Sequence, residues 1–335
     1  MKANVNQADQ TGNEQDQGRL AEIPIVDAVF TFRDRFRHWG YRWGVGRMTA
    51  EVTPGLYRLG SPDAQSPVLV SANYRMSFDQ LRRALVGRAV WILVLDTKGI
   101  NVWCAAGKGT FGTEELVRRL DRDRLSDVVT HRKVIVPQLG APGVAAHRVK
   151  QLSGFTVIWG PVHVRDLPDF LDRGEAAPEM RRVTFTFAER VVLAPMELRP
   201  AFLPLMGVGV AVALAVGWRS GAAFFLASIS APVAIPALHD ALPGTWLSVK
   251  GVFWGLIASG MAAWAFSVSG WPLLALGLSV TAVSAFLGLN FTGSTTYTPV
   301  NGVKREMKGM LPGIISAAGL GLILWVVIAI RRFWA

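Results

Sequence analysis

Cysteine is nearly absent: Cys104 is the one thiol in 335 residues. A lone thiol excludes an internal disulfide, a Cys-rich zinc centre and an iron–sulfur cluster held by this chain. Histidine is also scarce. His38, His131, His147, His163 and His239 lack ligand spacing such as H-x-x-x-H, so no zinc site is indicated. No Ser–His–Asp set and no carboxylate pair stands out by spacing. The first residues are Asn, Gln, Asp, Gly and Thr without the apolar core of a secretory signal, so residues 1–20 read as a disordered tail. Beyond Arg199 the chain is short of charge.

That last shortage divides the protein. Residues 1–199 hold nearly all the Asp and Glu, and the remainder is apolar. Five stretches approach the roughly 20 residues needed to cross a bilayer core: Phe202–Trp218, Gly221–Leu238, Val249–Val268, Trp271–Leu289 and Leu311–Ile330. None has a polar face to offer water. Gly207, Gly209, Gly217, Gly255, Gly260, Gly277, Gly288, Gly319 and Gly321 suit close helix packing in lipid. Trp218, Trp246, Trp271 and Trp325 lie near segment ends, where interfacial anchors sit. The expected organisation is a cytoplasmic α/β domain over residues 21–199 and a transmembrane helical domain of about five helices over 200–335. With the amino terminus inside, Arg199, Lys250, Lys304, Arg305 and Lys308 fall on the cytoplasmic side, whereas Arg219, Arg331 and Arg332 fall outside.

The net charge of +11 is partly local. Between Phe30 and Arg47, Phe32, Phe36, Trp39 and Trp43 recur at helical spacing, with Arg33, Arg35, Arg37 and Arg42 mostly elsewhere. Beside membrane spans this pattern suits a helix lying on anionic lipid or on the membrane domain better than one on nucleic acid. Met48–Leu59 reads as a small β element around Pro54-Gly55. Strands are then expected at Val68–Val70, Trp91–Leu95, Val134–Val136 and Thr156–Trp159. Helices are expected at Ser77–Val86, at Thr113–Leu120 capped by Thr113, and from Leu167 to Leu171. Val183, Phe185 and Phe187 alternate like a late strand. Strands alternating with helices indicate a mainly parallel, Rossmann-like sheet.

Cys104 follows the apolar run Trp91–Leu95 and the turn Asp96-Thr97-Lys98-Gly99. It therefore sits just past the carboxyl end of a buried strand, the edge where open α/β sheets bind ligands. Ala105, Ala106 and Gly107 leave room for something flat and large beside a short helix. A free thiol there is a nucleophile, an axial ligand to a cofactor metal, or an inert buried residue. Gly107–Gly112 spells G-x-G-x-x-G, but the dinucleotide fingerprint belongs directly after a strand. Here the glycines come about a dozen residues later and read as the end of a short helix.

The segment Asn101-Val102-Trp103-Cys104-Ala105-Ala106-Gly107-Lys108 matches N-(V/I)-W-C-A-(A/G)-G-K and so resembles the HgcA family of membrane-bound mercury-methylation corrinoid proteins. Leu95–Gly112, Pro137–Gly143 and Gly160-Pro161-Val162 resemble the corrinoid-binding domain of the large subunit of the corrinoid iron–sulfur protein, a likeness covering roughly residues 45–175. The resemblance implies a cobalamin-type corrinoid bound base-off, with Cys104 as its lower axial ligand. Asn101 and nearby backbone N–H groups would hydrogen-bond the sulfur. Val102, Trp103, Ala105, Ala106 and Gly107 would shape the corrin face, and Lys108 would influence the local charge. A soft, electron-rich thiolate favours departure of methyl as a carbanion equivalent, so the implied reaction is methyl transfer to Hg(II). The implied partners are a one-carbon methyl donor and a ferredoxin-like iron–sulfur protein, HgcB, as electron donor. Two alternatives remain: a membrane-anchored corrinoid methyl carrier of an acetyl-CoA-type pathway, and a non-catalytic membrane protein with an inert Cys104.

Overall fold

Long apolar runs set the framework of the amino-terminal part. Six strands form one mixed sheet: β1 (Ile25–Val26), β2 (Gly55–Leu59), β3 (Val68–Ala72), β4 (Val90–Leu95), β5 (Lys133–Val136) and β6 (Thr156–Trp159), in the order β1-β2-β4-β3-β5-β6. β3, β4, β5 and β6 are mutually parallel, and β2 pairs antiparallel to β4. All residues of β3 and β4 are buried, which fits strands covered on both faces. The computed structural model describes residues 22–294, 298 and 300–334, so the expected tail over residues 1–20 lies outside the described residues.

Contacts divide the chain into two units. One runs through Tyr41 and continues over Gly46–Val183; the other comprises Arg42–Val45 and the chain from Thr184 onward. Alternation along the strands gives the first unit two cores. Val68, Val70, Trp91, Leu93 and Leu95 face one layer, built from α3 (Val102–Lys108), α4 (Thr113–Arg122) and α6 (Ala146–Ser153). Leu69, Val90, Ile92 and Val94 face the other, built from α2 (Arg75–Ala84) and α7 (Leu167–Arg173). The first unit also contains α1 (Phe32–Arg42), apart from its last residue, and the short α5 (Leu125–Val128). Each large aliphatic side chain buried here contributes about 1.5–3 kcal/mol.

Several expectations shift. The Thr113 side chain does not cap α4. Gly112 is the N-cap, and the buried Thr113 hydroxyl instead accepts the Ala145 N–H at 2.8 Å. Val183, Phe185 and Phe187 form no strand. A capping box between Thr186 and Glu189 starts the helical turn α8 (Phe187–Val191), so local hydrogen bonding overrides the alternation.

The second unit continues with α9 (Ala194–Ala215), α10 (Trp218–Ala237), α11 (Leu247–Phe266), α12 (Trp271–Ser294) and α13 (Val300–Trp334). Among the described residues five helical segments are long and apolar enough to cross a membrane: Phe187–Ala215, Trp218–Ala237, Leu247–Phe266, Trp271–Thr292 and Asn301–Trp334. In the polar first part of the last, Glu306 is buried and accepts from Ser248 N–H and Oγ at 2.7 and 2.6 Å.

Close approach of helices through small residues is seen at Gly255, where a Cβ would lie 2.6 Å from Thr281 Cα, and at Gly288 beside Leu247. Gly207, Gly260, Gly277 and Gly319, expected to do the same, face open space. Trp325 is not an interfacial anchor. It is 6% exposed, inside the bundle, and its indole N–H donates to Ser279 Oγ at 2.9 Å.

Candidate functional site

The path of the chain reverses direction at β3. From β3 the chain passes outward to β4, then crosses back to β5 on the far side of β3. Ligands of open α/β sheets bind at such a reversal, outside the carboxyl ends of the strands. The segments leaving those ends are Asn73-Tyr74, Asp96–Asn101, Pro137–Ala145 and Gly160–His163. Pro137–Ala145 and Gly160–His163 contain the Pro137–Gly143 and Gly160-Pro161-Val162 motifs, and Asp96–Asn101 leads into the segment that carries Cys104.

Asn73 organises this edge. It is 1% exposed, and its Oδ1 accepts from Thr97 N–H (3.1 Å), Thr97 Oγ1 (2.8 Å) and Gly99 N–H (2.9 Å). The Thr97 hydroxyl also lies 2.7 Å from the Ile100 carbonyl. The Ile100 N–H donates to the Thr97 carbonyl at 3.2 Å, closing a turn whose central residues Lys98 and Gly99 have φ of 58° and 65°. Two positive φ values in succession match a type I′ turn. At the second, φ favours Gly, and a Cβ there would also fall 2.7 Å from Glu51 Oε1. On the other side, Glu115 Oε1 accepts the Asp96 N–H at 2.8 Å. Lys98, 2.7 Å from Asp96, holds that carboxyl below the usual carboxylate range.

The turn delivers the chain into α3. Asn101 is its N-cap, and Asn101 Oδ1 accepts the Cys104 N–H at 2.9 Å. That oxygen is the acceptor that the free N–H groups of a helix's first turn require, so Asn101, expected beside the sulfur, is tied to the Cys104 backbone. Gly109, with φ 81°, ends the helix, so the G-x-G-x-x-G string is a helix terminus and the approach to α4.

The eight residues of the motif are presented differently. Val102, Trp103 and Cys104 are half-buried, and Gly107 and Lys108 are exposed. Ala105 and Ala106 turn inward at 0% and 5% exposure and belong to the core. Their small size lets α3 lie close to the loop after β5. There, a Cβ on Gly143 would fall 2.1 Å from the Phe111 carbonyl oxygen and 3.1 Å from Ala106 Cα. Lys108 stands one helical turn beyond Cys104. Among the described residues no group of three or more His, Cys, Asp or Glu side chains is placed to hold a metal ion. Asn73, Thr97, Glu115 and Gly143 carry the site's geometry without belonging to the motif. The sequence hint for Asn73 was a lone amide directly after a buried strand.

Residues 45–171 match the family model of the CO dehydrogenase/acetyl-CoA synthase delta subunit. The similar curated proteins include the acetyl-CoA decarbonylase/synthase complex subunit gamma of Methanopyrus kandleri, 33% identical over 129 residues, which are 38% of this chain and 28% of that protein. The subunit of the same name from Methanocaldococcus jannaschii is 30% identical over 127 residues, 37% of this chain and 26% of that protein. That of Archaeoglobus fulgidus is 24% identical over 129 residues, 38% and 27% of the two chains. The chain thus spans little more than a quarter of the length of these relatives. The matched region covers β2 to β6 and the whole carboxyl edge, and leaves out the apolar helices.

Proposed function

We propose that this protein is a membrane-embedded corrinoid methyltransferase that transfers methyl to Hg(II), with Cys104 as the lower axial ligand of cobalt. The observation that carries the reading is Cys104 itself. It is a half-buried thiol at the third position of α3, past the carboxyl end of β4, within N-V-W-C-A-A-G-K.

The residues fit a corrinoid. The macrocycle brings its own equatorial ligands and needs one donor from the protein, and this edge offers one sulfur. Gly107, Lys108 and Gly109 at the end of α3 are exposed, and nothing lies within 4 Å of a Cβ built on Gly109, which leaves that end of the helix uncovered. When bound, the corrinoid supplies a cobalt centre that accepts and releases methyl, and an electron-rich thiolate beneath it favours release to an electrophile such as Hg(II). The chain's own part is to hold that sulfur. Asn101 fixes the Cys104 backbone, Asn73 fixes the turn before it, and Gly143 seats the loop after β5 against α3. Val102 and Trp103 border the thiol, and Ala105 and Ala106 set the depth of α3 in the domain.

One thiol leaves no ligands for an iron–sulfur cluster, so low-potential electrons would come from a separate partner of the ferredoxin-like HgcB type, and methyl from a one-carbon donor. The α/β part, residues 21–199, would lie in the cytoplasm, with residues 200–335 in the inner membrane. Arg199, Lys250, Lys304, Arg305 and Lys308 support that orientation, and Arg219, Arg331 and Arg332 count against it.

A second reading has its own support. The matched relatives are named as subunits of acetyl-CoA decarbonylase/synthase complexes. This chain would then be a membrane-anchored corrinoid carrier delivering methyl within such a pathway.

The deciding experiment gives the purified full-length protein corrinoid, a methyl donor, a low-potential reductant and Hg(II). Methylmercury from the native protein and none from Cys104→Ala is the expected result, with a base-off visible spectrum that changes in the variant. Equal methylation by Cys104→Ala would overturn the ligand role. Methyl delivery to an acetyl-CoA synthase with no methylmercury would establish the second reading instead.

A further inference from the structure

We propose that α1 is a membrane-surface anchor whose aromatic ridge lies in the interfacial layer of an anionic lipid leaflet. Phe32, Phe36 and Trp39 occupy one face of α1 and are 82%, 65% and 60% exposed. The opposite face is fixed. Asp34 and His38 are buried, Asp34 pairs with Arg82 at 3.1 Å, and His38 Nε2 lies 2.9 Å from Asp79 Oδ2. These buried partners set the rotation of the helix, so the aromatic face points outward by construction. Three large aromatics on one outward face form a patch that water-facing helices rarely carry.

The charge pattern selects the occupant. Arg33 borders the ridge on one side and Arg35 and Arg42 on the other, while Arg37 turns toward the inward-facing Asp34, 3.7 Å away. Aromatics flanked by arginines match an interfacial helix over anionic headgroups. Chain continuity agrees. Arg42–Val45 groups with the membrane-crossing helices. Arg42 Nη1 donates to the Val192 carbonyl at 3.4 Å, and the Arg199 guanidinium lies against Gly44. Both partners belong to Phe187–Ala215, the first segment long and apolar enough to cross a membrane, so the residues that close α1 are tied to that segment. Val45 and Met48, just beyond the helix in the chain, are also exposed, at 62% and 86%.

The test uses the full chain, whose single thiol simplifies labelling. A Cys104→Ala/Phe36→Cys variant carries an environment-sensitive fluorophore, and a Cys104→Ala/Ser126→Cys variant is the control. Both are reconstituted in phosphatidylcholine vesicles with or without phosphatidylglycerol, and in vesicles with brominated acyl chains. The label at position 36 is expected to shift to the blue and to be quenched by brominated lipid, most strongly with phosphatidylglycerol, while the label at 126 is not. Adding Arg33→Gln and Arg35→Gln should lower the docked-to-undocked ratio by about thirtyfold, roughly fivefold per charge. A water-like signal at position 36 would overturn the proposal. So would shielding without lipid quenching, which would mean packing on protein, or quenching indifferent to phosphatidylglycerol and to the arginines. Loss of the protein from vesicles in alkaline carbonate would overturn the membrane-crossing reading on which the proposal rests, whereas retention with an unquenched label would sink the anchor and leave the spans standing.

Discussion

The side-chain oxygen of Asn73 bonds both the backbone N–H and the hydroxyl of Thr97, at 3.1 and 2.8 Å, at the meeting point of the two central parallel strands. Neither residue lies in the cysteine motif. Together they fix the turn from which α3 departs, and so the position of Cys104. A buried amide with three donors converging on one oxygen makes the edge rigid, since losing that oxygen would leave the donors without an acceptor.

Asn73→Ala should therefore destabilise the α/β unit by about 2–4 kcal/mol, combining unmet donors with a small cavity. Thermal unfolding of the solubilised protein followed by near-ultraviolet circular dichroism measures it. A change within about 0.5 kcal/mol, the range of ordinary surface substitutions, would show that the turn holds without Asn73.

Asn101→Ala removes the cap of the Cys helix and should cost about 1 kcal/mol, whereas Asn101→Ser and Asn101→Asp keep an acceptor and should cost much less. If the cap is what positions the thiol, methyl transfer should follow the same order. Activity equal in all three variants would separate the cap from the chemistry.

Gly143→Ala places a Cβ against the Phe111 carbonyl and the Ala106 backbone, contacts that no rotamer change relieves. The loop after β5 must move away from α3, at a cost of at least about 1–3 kcal/mol. The expected readout is weaker corrinoid retention on gel filtration. Gly154→Ala is a useful comparison, because its added Cβ meets nothing within 4 Å although its φ of 76° is strained.

Asp79 links α1 to α2 and gives the first unit an acid limit. Burial pushes its carboxyl up, but the hydrogen bonds from His38 and Arg82 and the charge of Arg75 outweigh it, so the group ionises below the ordinary carboxylate value. A depressed folded value means that the stabilisation is fully present above the unfolded value of about 3.9 and is lost as pH falls through the folded one. Asp79→Asn should be less stable at neutral pH, and its unfolding curve should converge on that of the native protein in acid. Curves that stay parallel from about pH 7 to about pH 2 would mean Asp79 ionises alike in the folded and unfolded chain.

The amino-acid sequence by itself determined the α/β pattern, the apolar crossings and the segment carrying the thiol. These signals are local. The runs Val90–Leu95 and Thr156–Trp159 are continuous enough to mark strands, and hydropathy marks helices in lipid without knowledge of their neighbours. Only the tertiary structure decided which side chains of the motif face outward and what holds them. Ala105 and Ala106 turned out to be core because the loop ending at Gly143 closes over them, and no spacing rule joins residues so far apart in the chain. Asn73 gained its role because β3 and β4 are adjacent and parallel, which brings its amide to Thr97 and Gly99. Trp325 was misjudged for the same reason: composition gives the solvent a helix prefers, while burial of a single aromatic side chain depends on the helix beside it.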